Sequence, residues 1–320
     1  MVDDIYEDSL NWSPMAVDDH DEVEELCQAI DYLDGALATH ECPITWDNPA
    51  SSYAIVGRDP RGMLAAYGWA HICNVHDTRV DVMLDGGVHP SFRHRGIGRR
   101  VLDWSIRAGI SMARSANKPR LRCCAVVDAN RTIDRHTLER VGLLPTRWYC
   151  DMIHDFAGTE YHPEPPRMRG ITFRRYDEQL SEPTRAVWNQ AIAADPEAGE
   201  VSKEDWAASW RRPEARAEWS WVAFAGYEVI GCALNSLVQP SDSDNGIGWT
   251  DRIAVLPEWR EKGIEAALLS WSMKSFGSAG LDGAGLGVDT PDLEWAKRIF
   301  TAVGYESSDV LVQHSRTIAV

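Results

Sequence analysis

Positive charge is in short supply in this chain: 32 Lys and Arg stand against 49 Asp and Glu, a formal charge of −17. So negative a surface repels phosphates, which argues against a nucleic-acid or anionic-membrane partner and suits a cationic small molecule better. No CxxC pair occurs, and seven cysteines is an odd count, so neither a disulfide framework nor a metal site is expected. No apolar run approaches the roughly 20 residues of a membrane span. The opening MVDDIYEDSL lacks the apolar stretch of a signal peptide. The expected setting is the reducing cytoplasm. There is also no GK[ST] after a glycine-rich turn and no GxGxxG with its downstream carboxylate, which sets aside the P-loop and dinucleotide fingerprints.

What is present is enough apolar residue, 44% of 320, to build two cores. Residues 155–170, DFAGTEYHPEPPRMRG, hold three prolines and two glycines without apolar periodicity and read as a linker. The expected division is a domain over 1–156, a linker over 157–169 and a domain over 170–320. Before the linker, periodicity predicts a helix over 21–33, strands in SSYAIVG, GMLAAYGWAHIC and RVDVMLDGGV, and a helix over 98–116. The strand RLRCCAVV and a helix over 132–142, ended by Gly142, follow. After the linker the plan repeats, with Ser181 expected as the cap of a helix whose first turn holds Pro183. The fold class is mixed α/β of the α+β kind.

The repetition can be counted. Val88, Pro90, Arg93, Gly96, Leu102, Trp104 and Ser105 recur 167 residues later as Val255, Pro257, Arg260, Gly263, Leu269, Trp271 and Ser272. In each copy a strand ends in a basic, glycine-containing turn and runs into a helix. The first-turn amides of such a helix lack acceptors and its end carries about half a positive charge, so the turn is suited to an anion. In SFRHRGIGRR, Gly96 and Gly98 let a diphosphate approach the backbone, and Arg93, Arg95, Arg99 and Arg100 surround it with charge. In EWREKGIEAA the second glycine is replaced by Glu265, a carboxylate expected to satisfy the helix end itself and to exclude a phosphate.

The stretch VHPSFRHRGIGRRVL resembles the coenzyme A-binding motif [Q/R]xxGx[G/A] of the GNAT superfamily of N-acetyltransferases. NRTIDRHTLERVGLL and DTPDLEWAKRIFTAVGYE are similar to that family's later Asn-plus-helix stretch. The tandem layout resembles mycothiol synthase and its actinobacterial relatives. The resemblance implies two tandem domains, each a mixed, mostly antiparallel sheet flanked by helices, whose fourth and fifth strands splay apart around the pantetheine of acetyl-CoA, the co-substrate. It further implies that Val88, His89, Arg93, His94, Arg95, Gly96, Ile97, Gly98, Arg99 and Arg100 contact the coenzyme, that the amides of Arg95 to Arg99 hold its pyrophosphate, and that Asn130 lies near it. The second copy is expected to be degenerate. The family tyrosine that protonates the leaving thiolate falls here at Leu138 and Phe300, neither of which can donate.

Acetyl transfer to an amine needs a base and a proton donor. Asp85, three residues before Val88, is the candidate base, with a turn carboxylate beside Gly86 and Gly87 as the alternative; Asp81 precedes it, and the second half offers Asp251, four residues before Val255. Tyr149 is the candidate acid, with His136 and His89 also available. Of the tryptophans, Trp188, Trp206, Trp210, Trp219 and Trp221 fall in the second half and read mainly as core. The expected function is acetyl-CoA-dependent N-acetylation of a small, cationic amine by direct attack in a ternary complex, in a monomer or homodimer. The alternatives are a non-catalytic acyl-CoA-binding regulator and a protein-lysine acetyltransferase.

Overall fold

The structure, a computed structural model, describes Ile5 and residues 9–34, 51–156, 164–195, 198–240 and 245–320; the first half of the expected linker, 157–163, lies outside them. The chain divides into two compact units, Met1–Tyr149 with Asp309–Val320, and Cys150–Ser308. Both are helices on a mostly antiparallel sheet. No helix among the described residues is long and apolar enough to cross a membrane.

In the first unit the sheet runs β1 (Asn11–Pro14), β2 (Ser52–Arg58), β3 (Leu64–Val75), β4 (Val80–Val88), β5 (Arg120–Asp128), β12 (Glu306–Ala319), then β6 (Leu144–Asp155). Helix α1 (His20–Asp34) packs Val23, Leu26, Cys27 and Ile30 against Val56 and Tyr67 on one face. Helix α2 (Ile97–Ser115) covers the other face. Its Ile97, Val101, Trp104, Ala108 and Met112 recur at helical spacing and are buried against Ile55, Val82, Leu84 and Leu121. Each of the larger aliphatic side chains among them, such as Ile97, Val101 and Met112, contributes about 1.5–3 kcal/mol on burial. Helix α3 (Thr132–Arg140) adds Leu138 to the same core and ends at Gly142, whose φ of 82° is the left-handed value expected of a helix terminator.

The second unit orders its strands as the end of β6, β11 (Gly283–Thr290), β10 (Ile247–Val255), β9 (Glu228–Val238), β8 (Ala215–Ala225) and β7 (Ile171–Arg175). Helices α4 (Ser181–Ile192), α5 (Lys203–Trp210), α6 (Ile264–Ser278) and α7 (Leu293–Thr301) accompany it. Ser181 is not the cap of α4: it is already helical, and a short 3₁₀ turn precedes it, capped by Asp177, whose Oδ1 accepts the amides of Gln179 (2.9 Å) and Leu180 (3.3 Å). An aspartate in extended conformation caps as well as a serine does, so the chain starts its turn one step earlier.

The division by compactness differs from the division by chain order at the two terminal strands. β12, the end of the second repeat, lies antiparallel beside β5 from Leu311↔Asp128 to Ala319↔Arg120. β6, the end of the first repeat, starts in the first unit, where Thr146 Oγ1 donates to Gln313 O (3.3 Å), and passes into the second, where the following Phe156 donates its amide to Asp282 O (2.9 Å). Each unit is thus completed by a strand from the other repeat.

Candidate active site

β4 and β5 pair in parallel from Val80↔Leu121 to Met83↔Cys124 and then part, although β4 continues to Val88 and β5 to Asp128. β10 and β11 do the same after Thr250↔Leu286. The strand ends that part at this splay form an open edge of the kind that can pair with an extended ligand.

At the mouth of the splay the two turns have nearly one backbone. φ is 63° at His94 and 61° at Glu261, and 82° at Gly96 and 80° at Gly263. Left-handed conformation at the non-glycine position costs energy, so its recurrence marks a constrained turn. The first arginine of each copy is an internal brace. Arg93 Nε donates to Val88 O and Arg260 Nε to Val255 O, both at 3.4 Å. Arg93 also grips both carboxylate oxygens of Asp34 (2.6 and 2.8 Å), which Arg131 shares at 2.6 Å. Arg93, and then Arg131, hold the Asp34 carboxyl below its ordinary value in spite of partial burial.

The residues after Arg93 face outward. His94, Arg95, Gly96, Arg99 and Arg100 are exposed; Arg95 lies over the Phe92 ring at 4.9 Å. The amide of Arg100 donates to Gly96 O (3.2 Å), so the amides of Ile97, Gly98 and Arg99 precede the intrahelical ladder. A Cβ built on Gly96 meets nothing within 4 Å, and one on Gly98 meets only Val88 Cγ2 at 3.6 Å. The space above these amides therefore fits an anionic group. His89 Nδ1 accepts the Ser91 amide (3.2 Å), and Asn130 is exposed at the far side of the splay, its own amide donating to Asp128 Oδ1 (2.8 Å). Outward from the turn a cavity of ≈640 Å³ is lined by Arg99, Arg107, Arg140 and Arg316 with Asp103. That basic lining, which includes Arg316 from β12, is invisible to motif spacing.

In the second turn, Glu265 fills the corresponding place. It is only 7% exposed. Burial pushes its carboxyl above the ordinary value, opposed by a bond from its own backbone amide and by Arg260. The expected anion is thus a buried plug that consumes a helix-end amide and is held partly toward its neutral form.

The acid–base candidates separate. Asp85 lies on β4 opposite Trp69, on the sheet face that α1 covers. Its Oδ1 accepts the Gly86 amide (2.7 Å), and Tyr67 Oη is 3.4 Å from Oδ2. Asp81 is 1% exposed and neutralised by Arg79 (2.6 Å) and Arg122 (2.8 Å), which leaves it a structural role. Tyr149 donates to Gln313 Oε1 (3.1 Å) on β12. Its strand is separated from β4 by β5 and β12, so Asp85 and Tyr149 are not brought together. In the second unit a bulge between Thr250 and Arg252 displaces Asp251 from the β9 ladder and pairs it with Arg212 at 3.3 Å. Three residues before Val255, where Asp85 stands before Val88, the chain has Arg252, half-buried between the rings of Trp188 (5.5 Å) and Trp206 (5.1 Å). Sequence reasoning missed Tyr67, Trp69 and His71, which alternate along β3 on the face of Asp85; the period-2 spacing was the signal available.

Residues 178–305 match the profile of the acetyltransferase (GNAT) family. No curated protein matches the chain in sequence. A GCN5-related N-acetyltransferase from Sphaerobacter thermophilus superposes with a TM-score of 0.67 at 22% identity, covering 98% of this chain and 97% of that one. A tandem GNAT protein from the clavulanic acid biosynthesis pathway superposes at 0.53 and 14%, covering 96% and 98%. A fungal multi-domain GH3 β-N-acetylglucosaminidase, with a GCN5-related glucosamine N-acetyltransferase region, superposes at 0.59 and 16%, over 97% of this chain but 38% of that one. At such identities these likenesses establish fold. The profile match falls on the half whose turn carries Glu265. That match covers part of the second half only, and the chain as a whole carries the fold of these GNAT structures, a tandem protein among them.

Proposed function

We propose that the protein transfers an acyl group, acetyl in the first instance, from acyl-CoA to a small cationic amine, using the first unit for the coenzyme. The observation that carries this reading is the pair of turns with one backbone and opposite chemistry: open amides and arginines at Gly96–Arg100, a buried carboxyl at Glu265. When bound, the coenzyme supplies an activated thioester carbonyl. The chain's own residues do the rest. The amides of Ile97, Gly98 and Arg99 face the pyrophosphate, and the arginines of the neighbouring cavity suit its phosphate-bearing end. The parted edge of β4 offers backbone groups to the pantetheine. Asp85, on the face toward α1, supplies a negative charge for an ammonium, whereas Arg252 at the matching place repels one. The layout suits a relative of the mycothiol synthase type in which the first repeat has kept the coenzyme.

A non-catalytic acyl-CoA sensor is favoured by one observation: Leu138, where the family donor would stand, is core at 6% exposure. Release of free CoA with a panel of amines separates the two. The expected result is amine-dependent release above the hydrolysis background; tight acetyl-CoA binding with no turnover on any amine supports the sensor instead.

A further inference from the structure

β3 sets three side chains on the face toward α1: Tyr67 opposite Gly87, Trp69 opposite Asp85 and His71 opposite Met83. The row of His71 and Met83 continues to Cys124, the last pair before β4 and β5 part. His71 therefore stands where the splay opens, one step along the face from Asp85. Its ring stacks on the Trp69 indole at 4.0 Å and 22°, and that indole is itself fixed by donating Nε1–H to Ser52 Oγ (2.6 Å). Among the described residues neither ring nitrogen has a hydrogen-bond partner: Nδ1 is sealed from water and Nε2 is open to it. A partly buried imidazole held by stacking, with one nitrogen open to water and no partner for either, has the capacity to take a ligand's proton.

We propose that His71 is the base that takes the proton from the acceptor ammonium, with Asp85 as the charge that holds the cation and then the imidazolium. This rests on the acyl-transfer reading above. The ammonium gives one proton to His71. The freed nitrogen bonds to the acyl carbon as the C–S bond breaks, a second N–H proton passes to the departing sulfur, and His71 returns its proton to solvent. The titratable groups around it are few. From α1 comes Cys27, 3.5 Å from Tyr67 Oη; from β3, Tyr67; from β4, Asp85 and the neutralised Asp81; from β5, Arg122 and Cys124, whose thiol burial pushes up to about 12. Burial draws His71 below its ordinary value, and the charge of Asp85 acts in the opposite direction. At neutral pH the imidazole is thus free to accept a proton.

The test combines titration and kinetics. Proton NMR of coenzyme-free protein is expected to show the His71 midpoint below 6.5 and moved lower still in Asp85→Asn. With an accepted amine, His71→Gln is expected to lower kcat by roughly 100-fold or more and to remove the acid limb of kcat/KM, while Asp85→Asn shifts that limb to lower pH. His71→Ala should regain rate with added imidazole, a response that a packing role does not give. Wild-type turnover with the acid limb intact in His71→Gln, or a His71 midpoint indifferent to Asp85→Asn, overturns the assignment alone. Wild-type protein that releases no CoA with any amine overturns the functional reading beneath it.

Discussion

The two turns share their brace, with Arg93 on Val88 O and Arg260 on Val255 O, and their left-handed pair at His94 and Gly96 or Glu261 and Gly263. They part at one side chain. Gly98 leaves the helix-end amides open, whereas Glu265 lies buried over the equivalent place. Three residues before the splayed strand ends, the units part again, at Asp85 and Arg252. The two turns therefore share a backbone geometry and differ in chemistry. The turn is held by sterics and by bonds internal to the fold, and the copies part in the side chains that face outward from it.

The comparison breaks most completely if a unit loses its exchanged strand. Deleting residues 306–320 strips the partner from Arg120–Asp128 on β5 and removes Ile318 from the first core. A cost on the order of 5 kcal/mol or more rivals the whole stability of a domain. The expected outcome is loss of cooperative melting and of coenzyme binding in the first unit, read by circular dichroism and calorimetry. A truncated protein with wild-type affinity contradicts the exchange.

Next in size is the pair Gly98→Glu and Glu265→Gly. A carboxylate beside the pyrophosphate costs about 1–4 kcal/mol at contact distance, so Gly98→Glu is expected to weaken acetyl-CoA by roughly 5- to 1,000-fold. Glu265→Gly is expected to leave affinity and stoichiometry unchanged by calorimetry. If it creates a second site instead, the plug was masking a competent turn, and the units differ by less than proposed.

The smallest effect sharpens the plug itself. The Glu265 carboxyl is raised in the fold, so the folded state holds its proton more tightly than the unfolded chain. Its contribution is most favourable below 4.5 and is lost as pH rises toward the folded value. Glu265→Gln should therefore melt close to wild type at acid pH and above it at neutral pH. Equal midpoints across that range would show a solvated carboxylate.

Much of this was legible in the residues. The spacing of Val101, Trp104, Ala108 and Met112 marked α2, and the 167-residue offset marked the repeat. Both depend on neighbours along one helix or turn, where local geometry dictates periodicity. That His71 and Asp85 share a face was not legible, because they lie 14 positions apart in sequence and meet only through the β3–β4 register. Likewise Asp251, four residues before Val255, is displaced by a bulge that no composition announces.

The chain order, then, dictated two repeats, their elements and the contrast of Gly98 with Glu265, since each follows from short-range sterics and charge. Tertiary structure alone decided that β12 completes the sheet beside β5, that Arg316 joins the basic cavity, and that Trp69, His71 and Asp85 share one face. Those are pairings between distant segments, chosen by which strand edge is open and which apolar face remains to be covered, and no stretch of sequence carries that choice on its own.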